Sequence, residues 1–248
     1  MKLKVFGSSS KGNGYALTDT NGNTLLIECG VPFKEIQRYL DFDLSKIVGC
    51  IVSHVHGDHS KYIKEYLKFG IDVSMSFETI KALDLLKHHK AKGLLPNKKY
   101  DILSSEFKVM PIELKHDVPC FGYIIQHKEM GNTVFITDSY YSPLKYANIS
   151  NWIVEANYSQ EILDKKVSNN ETHSFLRNRI LTSHFSLENC IDMFKSNDMS
   201  KTNNIVLTHL SDSNSDAKLF KEKLTYVTEK TVHIAEPGLE INLDKTPF

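Results

Sequence analysis

Residues 53–60 read SHVHGDHS and follow directly on the apolar run Ile47-Val48-Gly49-Cys50-Ile51-Val52. The segment sets His54, His56, Asp58 and His59 within six positions. Imidazoles and a carboxylate crowded this closely at a strand end would waste core positions and gain little as solvated surface. A metal site explains them, because neutral imidazole and ionised carboxylate are ready ligands.

Matching side chains recur after later apolar runs. His116 follows Phe107 to Leu114, Asp138 ends Val134-Phe135-Ile136-Thr137, and His209 ends Ile205-Val206-Leu207-Thr208. Each lies just past the C-terminal end of a predicted strand, where loops gather on one edge of a sheet. His184, in LTSHFSLEN, stands immediately before a predicted helix start at Ser186. The donors are nitrogen and carboxylate oxygen with no thiolate, which suits zinc first, with manganese or iron as alternatives. The candidates divide between two ions: His54, His56 and His116 for one, Asp58, His59 and His209 for the other, with Asp138 bridging. Two ions about 3.5–4 Å apart hold a hydroxide between them and neutralise charge developing on a phosphate oxygen.

The remaining pattern predicts strands at Lys2 to Phe6, Tyr15 to Thr18 and Thr24 to Ile27, the last two around the turn Asn21-Gly22-Asn23. Pro32 opens a predicted helix through Leu40, and Ser60 reads as the cap of another running to Phe69. Strand Ile71 to Met75, helix Phe77 to Leu86, and strands Phe107 to Leu114, Phe121 to Gln126, Thr133 to Thr137 and Trp152 to Ala156 follow. Helices are predicted at Gln160 to Lys165, His173 to Ile180, Ser186 to Lys195 and Asp216 to Leu224, and strands at Asn204 to Thr208 and Thr231 to Leu243. Strands first, then strands mixed with helices, twice over, suit an α+β fold of four layers, αββα, with two sheets packed face to face.

A chain of 248 residues, 41% apolar and 24% charged, suits one domain over residues 1–248. Thirty basic residues balance thirty acidic ones, so no global field advertises a polyanionic partner, although a local patch still could. The start MKLKVFGSSS has too short an apolar run for a signal peptide, and no segment reaches membrane-spanning length. Cys29, Cys50, Cys120 and Cys190 show no close spacing and read as reduced core thiols. A cytoplasmic protein without membrane partners is expected, and a homo-oligomer is left open.

SHVHGDH resembles the H-x-H-x-D-H signature of the metallo-β-lactamase-fold hydrolases, and His116, Asp138 and His209 resemble that superfamily's later metal motifs. The resemblance implies the αββα sandwich over most of the chain. Asp138 stands where β-lactamases of this fold use Cys, and His56 where its di-iron oxidoreductases carry Glu, which argues against antibiotic hydrolysis and redox chemistry. KHDVPCFGY, VEANY at 154–158 and LTHLS at 207–211 are similar to the branch holding ribonuclease Z and the YycJ/WalJ proteins. GSSSKGN and SHFSLEN are most similar to the YycJ group, which implies an exonuclease. Glu28 replaces the Asp usual in that group, and no long arm for gripping tRNA is evident. By the same resemblance His184 is a non-ligand histidine that protonates the leaving oxygen or stabilises phosphate charge. Asp58 then orients the attacking hydroxide as well as binding metal.

Two stretches are candidates for holding substrate. Gly7 to Asn13 lacks the Gly-Lys-Ser/Thr ending of a P-loop. Its turn, with Ser9, Lys11 and Asn13, offers contacts to a substrate phosphate, or else simply joins two strands. Lys87, Lys90, Lys92, Lys98 and Lys99 lie with no acid between Asp84 and Asp101, and read either as a phosphate-backbone track or as a solvated helix end. The expected activity is a dinuclear-metal phosphodiesterase acting on nucleic acid ends through a metal-bridging hydroxide. The alternative keeps the chemistry but takes a cyclic mononucleotide or other small signalling phosphodiester, degraded by a phage or bacterium. A thioester or lactone hydrolase leaves His184 without a task, and a non-catalytic metal binder has no need of the whole ligand set.

Overall fold

The computed structural model describes residues 1–103, 105–142, 144–169 and 174–246. His173, the predicted start of one helix, lies outside the described residues. The strands are β1 (Lys2–Ser9), β2 (Gly12–Thr18), β3 (Thr24–Ile27), β4 (Ile47–Ile51), β5 (Val73–Ser76), β6 (Ala91–Leu94), β7 (Tyr100–Asp101), β8 (Lys108–Leu114), β9 (Cys120–His127), β10 (Gly131–Ile136), β11 (Ile149–Glu155), β12 (Asn204–Thr208), β13 (Thr231–Ile234) and β14 (Glu240–Asn242). They form two seven-stranded sheets, in the orders β14-β1-β2-β3-β4-β5-β6 and β13-β12-β11-β10-β9-β8-β7. Strands β3 to β6 run parallel, as do β10 to β13, and the rest of each sheet is antiparallel.

Period-two alternation on buried strands builds three cores. Leu25 and Ile27 of β3, Ile153 of β11 and Val206 of β12 face the space between the sheets, where Tyr15, Tyr123 and Phe135 also pack. Their neighbours Leu26, Trp152, Val154, Ile205 and Leu207 point outward and are covered by helices. On the first sheet the cover is α1 (Phe33–Tyr39), α3 (Ile63–Lys68) and α4 (Phe77–Ala82), with the short α2 (Gly57–Ser60) in the loop that carries His54 to His59. On the second, α5 (Gln160–Ser168), α6 (Ser174–Ser183), α7 (Leu187–Lys195) and α8 (Ala217–Thr228) follow, of which α7 and α8 supply Phe194, Phe220 and Leu224 to the core. The result is the four-layered αββα sandwich. All four cysteines are free and buried. No helix among the described residues is long and apolar enough to cross a membrane.

Three local expectations are corrected. Ser60 does not cap a helix: its hydroxyl donates to Val55 O at 2.7 Å, and the helix to Phe69 is broken into α2 and α3. Thr231 to Leu243 is two strands, because Pro237 cannot donate to a ladder and Gly238 turns with φ of 97°, carrying the chain from the edge of one sheet to the edge of the other. The helix predicted to Leu86 ends at Ala82, and the lysine-rich stretch after it leads into the edge strand β6, which the sequence pattern does not announce.

Candidate metal centre

The parallel arrangement explains why the candidate ligands meet. Strands β4, β8, β10 and β12 all end at one edge of the sandwich, and the loops that leave them carry His54 to His59, His116, Asp138 and His209. Asp138 and His209 have φ of 44° and 53°, and Glu28, at the end of β3, has 69°. Non-glycine residues held in this region mark positions that the surrounding structure overrides, and such positions cluster at functional sites. Gly30 allows the closest approach: a Cβ there would lie 1.7 Å from the Asp58 carbonyl oxygen and 2.5 Å from Asn13 N.

His54, His56 and His116 form one cluster whose candidate ligand atoms lie within 4.8 Å of one another. Nε2 of His116 is 3.2 Å from Nδ1 of His56. The other nitrogen of His116 is placed to donate to Ser183 O at 3.1 Å, which fixes its tautomer and leaves Nε2 for a ligand. Ser53 Oγ sits 2.9 Å from Nδ1 of His54, so Nε2 is likewise the free nitrogen. Burial, reinforced by neighbouring histidines, holds His54 well below the usual imidazole range; burial also lowers His116. Both are thus neutral, the state a metal requires.

Asp58, His59, Asp138 and His209 form the second cluster. Asp58 Oδ2 lies 3.2 Å from His59 Nε2 and 3.1 Å from His209 Nε2. Asp138 stands between the clusters, its Oδ2 2.5 Å from His59 Nε2 and 3.6 Å from His54 Nε2. Burial opposes charge at every one of these groups, yet Asp58 and Asp138 are held well below the usual carboxylate range by the His59 and His209 imidazoles. The same carboxylates raise His59 and His209, with Glu28 adding to the first and Glu155 to the second.

Glu155, at the end of β11, was not a candidate from the sequence. It is fully buried, and its Oε1 accepts from Nδ1 of His184 at 2.6 Å and from Nδ1 of His209 at 3.0 Å. Its Oε2 accepts from Ser139 N at 3.3 Å and Phe185 N at 3.1 Å. With both oxygens so occupied Glu155 is placed to orient His184 and His209, and together with Asp138 these residues form a third group whose candidate ligand atoms lie within 4.8 Å of one another. His184 is a quarter exposed; burial would lower it, but Glu155 and Asp138 push it up to about 9. Glu28 plays a parallel part beside the second cluster, with Oε1 3.4 Å from Nδ1 of His59 and both oxygens near Ser53 N. Asp117 is a further unforeseen neighbour, 3.0 Å from His116 Nε2.

The residues fit a pair of divalent ions. His54 Nε2 is buried without a hydrogen-bond partner among the described residues. Asp138 Oδ1 is 3.1 Å from Nδ1 of both His184 and His209, but those protons point to Glu155, so it too lacks an aligned donor. Ions seated in the clusters would satisfy both atoms. A cavity of about 310 Å³ opens onto them, lined by Ser10, Asp58, His116, Arg179, His184 and His209 among others.

The proposed substrate contacts divide. Asn13 is buried at the centre, with Nδ2 3.3 Å from Asp58 Oδ2 and 3.1 Å from His59 Nε2. Ser9 ends β1 and Lys11 lies in the adjoining turn to β2, exposed and 3.8 Å from Asp212. Lys87 and Lys90 are not brought to the site. They precede β6, which runs parallel to β5 and β4, and so sit at the sheet edge opposite to the one where β4 delivers His54. Lys90 is 3.1 Å from Asp72, and Lys99 donates to Gln126 at the far end of β9.

No protein-family model matches the chain. Over 108 residues it is 31% identical to the anti-Pycsar protein Apyc1 of Paenibacillus xerothermodurans, a match spanning 41% of this chain and 43% of that relative. Among solved structures it is similar to the metallo-β-lactamase fold protein YhfI from Bacillus subtilis, with a TM-score of 0.70, 18% identity, and coverage of 97% of this chain and 99% of that one. It is also similar to unliganded yeast PDE1, with a TM-score of 0.68, 11% identity, and coverage of 96% and 98%. The chain has the metallo-β-lactamase fold. On that fold it brings together clusters of His, Asp and Glu side chains whose arrangement is consistent with a dinuclear metal site.

Proposed function

We propose that the protein is a dinuclear-metal phosphodiesterase whose substrate is a cyclic mononucleotide or another small phosphodiester. The observation that carries the reading is Asp138, a member of the second cluster whose Oδ2 also lies 3.6 Å from His54 Nε2 of the first, flanked by a histidine that Glu155 holds in place. A bound metal pair, zinc by its donor set with manganese as the alternative, would supply a nucleophilic water at neutral pH and positive charge opposite the phosphate oxygens. Asp58 turns that water toward phosphorus by accepting its hydrogen bond. His184, with Nδ1 held by Glu155, offers the proton on Nε2 to the oxygen that leaves phosphorus. Water thus adds to phosphorus, one P–O ester bond breaks, and a cyclic ester opens to a monoester.

The size of the substrate is supported by three observations. The cavity at the clusters, about 310 Å³, suits one nucleotide. The relative's name, anti-Pycsar protein, supports a cyclic nucleotide and a part in counteracting a defence system. The lysines that would track a polynucleotide lie at the other edge of the sheet. A YycJ-like exonuclease keeps the same chemistry but loses that support.

The test offers zinc- or manganese-loaded protein cyclic mononucleotides, bis-p-nitrophenyl phosphate, and end-labelled DNA and RNA side by side. Metal-dependent opening of cyclic nucleotides, with polynucleotide ends left largely intact, is expected. Rapid shortening of the labelled strands while cyclic nucleotides survive would overturn the reading.

A further inference from the structure

The chain has three arginines among its 30 basic residues: Arg38, Arg177 and Arg179. Arg38 is held by Glu35 at 3.0 Å, and Arg177 by Asp164 at 2.8 Å. Arg179 makes no ion pair with any of the described residues, although it lines the cavity that also exposes Asp58, Asp117 and Asp138. It lies on α6 one turn before Ser183, so the two share a helix face. Ser183 is the residue whose carbonyl faces Nδ1 of His116. The helix therefore brings to one rim an orienting carbonyl, a guanidinium and, just past its end, His184.

We infer that Arg179 is the phosphate-binding residue of this site, gripping the non-bridging oxygens of the substrate while His184 faces the leaving oxygen. The inference rests on the phosphodiesterase reading and names a residue that the reading itself does not require. Two divalent ions outweigh the charges of Asp58 and Asp138, so the loaded centre is positive. A guanidinium beside it is repelled until an anion arrives between them. A phosphodiester is such an anion, and the planar fork of arginine matches two of its oxygens in a way that lysine does not. A neutral ester would give Arg179 nothing to hold.

The experiment uses the full chain loaded with zinc. Inorganic phosphate is titrated calorimetrically into wild type, Arg179→Lys and Arg179→Ala, with zinc content measured in each. Loss of a bidentate, charge-assisted contact should weaken phosphate binding roughly 10- to 100-fold in Arg179→Ala. Arg179→Lys should recover part of the loss, and zinc content should stay at the wild-type value in both. Phosphate binding unchanged in Arg179→Ala overturns the inference, even if wild type cleaves phosphodiesters well. Phosphate binding that depends on Arg179 in a protein that cleaves no phosphodiester upholds the inference and removes the proposed function.

Discussion

Nδ1 of His184 lies 2.6 Å from Oε1 of Glu155, a carboxylate with no exposure to solvent. The pairing fixes which ring nitrogen faces the cavity and favours the protonated ring. Glu155→Gln keeps the shape but removes the charge, so turnover should fall about 10- to 100-fold, the usual effect of losing an orienting partner. Binding at the second cluster should weaken as well, because His209 leans on the same oxygen. Steady-state kinetics with parallel zinc analysis check this; wild-type kcat in the variant would contradict it.

His184→Ala should retain both metals and lose turnover, and the loss should depend on the leaving group. A nucleotide alkoxide needs a proton to depart, whereas p-nitrophenolate leaves unaided. The deficit on a cyclic nucleotide should therefore exceed that on bis-p-nitrophenyl phosphate by at least an order of magnitude. Loss of a metal with the chemistry intact would make His184 a ligand.

Much of this centre is legible in the sequence because its candidate ligands stand at strand ends. An apolar run that stops at His or Asp announces both a strand and the place where its loop begins, as with Val134 to Asp138. Glu155 fits the same pattern, closing the apolar run Trp152-Ile153-Val154, but the run gives no sign of what it holds. It is the last residue of a fully buried strand, and its partners lie 29 and 54 residues away, so only the three-dimensional packing gives it a role. Lys87 and Lys90 show the converse. Their local pattern suggests a phosphate track, but strand direction, which no local pattern encodes, sends them to the wrong edge.

Metal uptake should be strongly pH-dependent. In the metal-free protein the carboxylates raise His59 and His209 above the ordinary imidazole range, so both are protonated near neutrality. Zinc requires their neutral forms, so binding releases protons, and affinity should rise as pH rises through the raised values. Calorimetric zinc titrations in buffers of different ionisation enthalpy measure the release directly. No proton release between pH 6 and 7.5 would contradict the assignment of these two ligands.

Replacing Lys87, Lys90, Lys92, Lys98 and Lys99 together by Gln should leave hydrolysis of a cyclic mononucleotide within about twofold of wild type, because none of them faces the clusters. A polynucleotide track would instead show a flatter salt dependence of strand binding, by roughly 0.7–0.9 in log–log slope for each contact removed. Filter binding over a salt series separates the two outcomes.

The claim on which the rest depends is that two ions share Asp138. Anomalous diffraction from zinc-loaded crystals tests it most directly. The account predicts two peaks about 3.5–4 Å apart. One should lie about 2.0–2.2 Å from nitrogens of His54, His56 and His116, the other at similar distances from Asp58, His59 and His209, with an Asp138 oxygen reaching each. A single peak under zinc-replete conditions, or two peaks that leave His116 or His209 unbound, would contradict it.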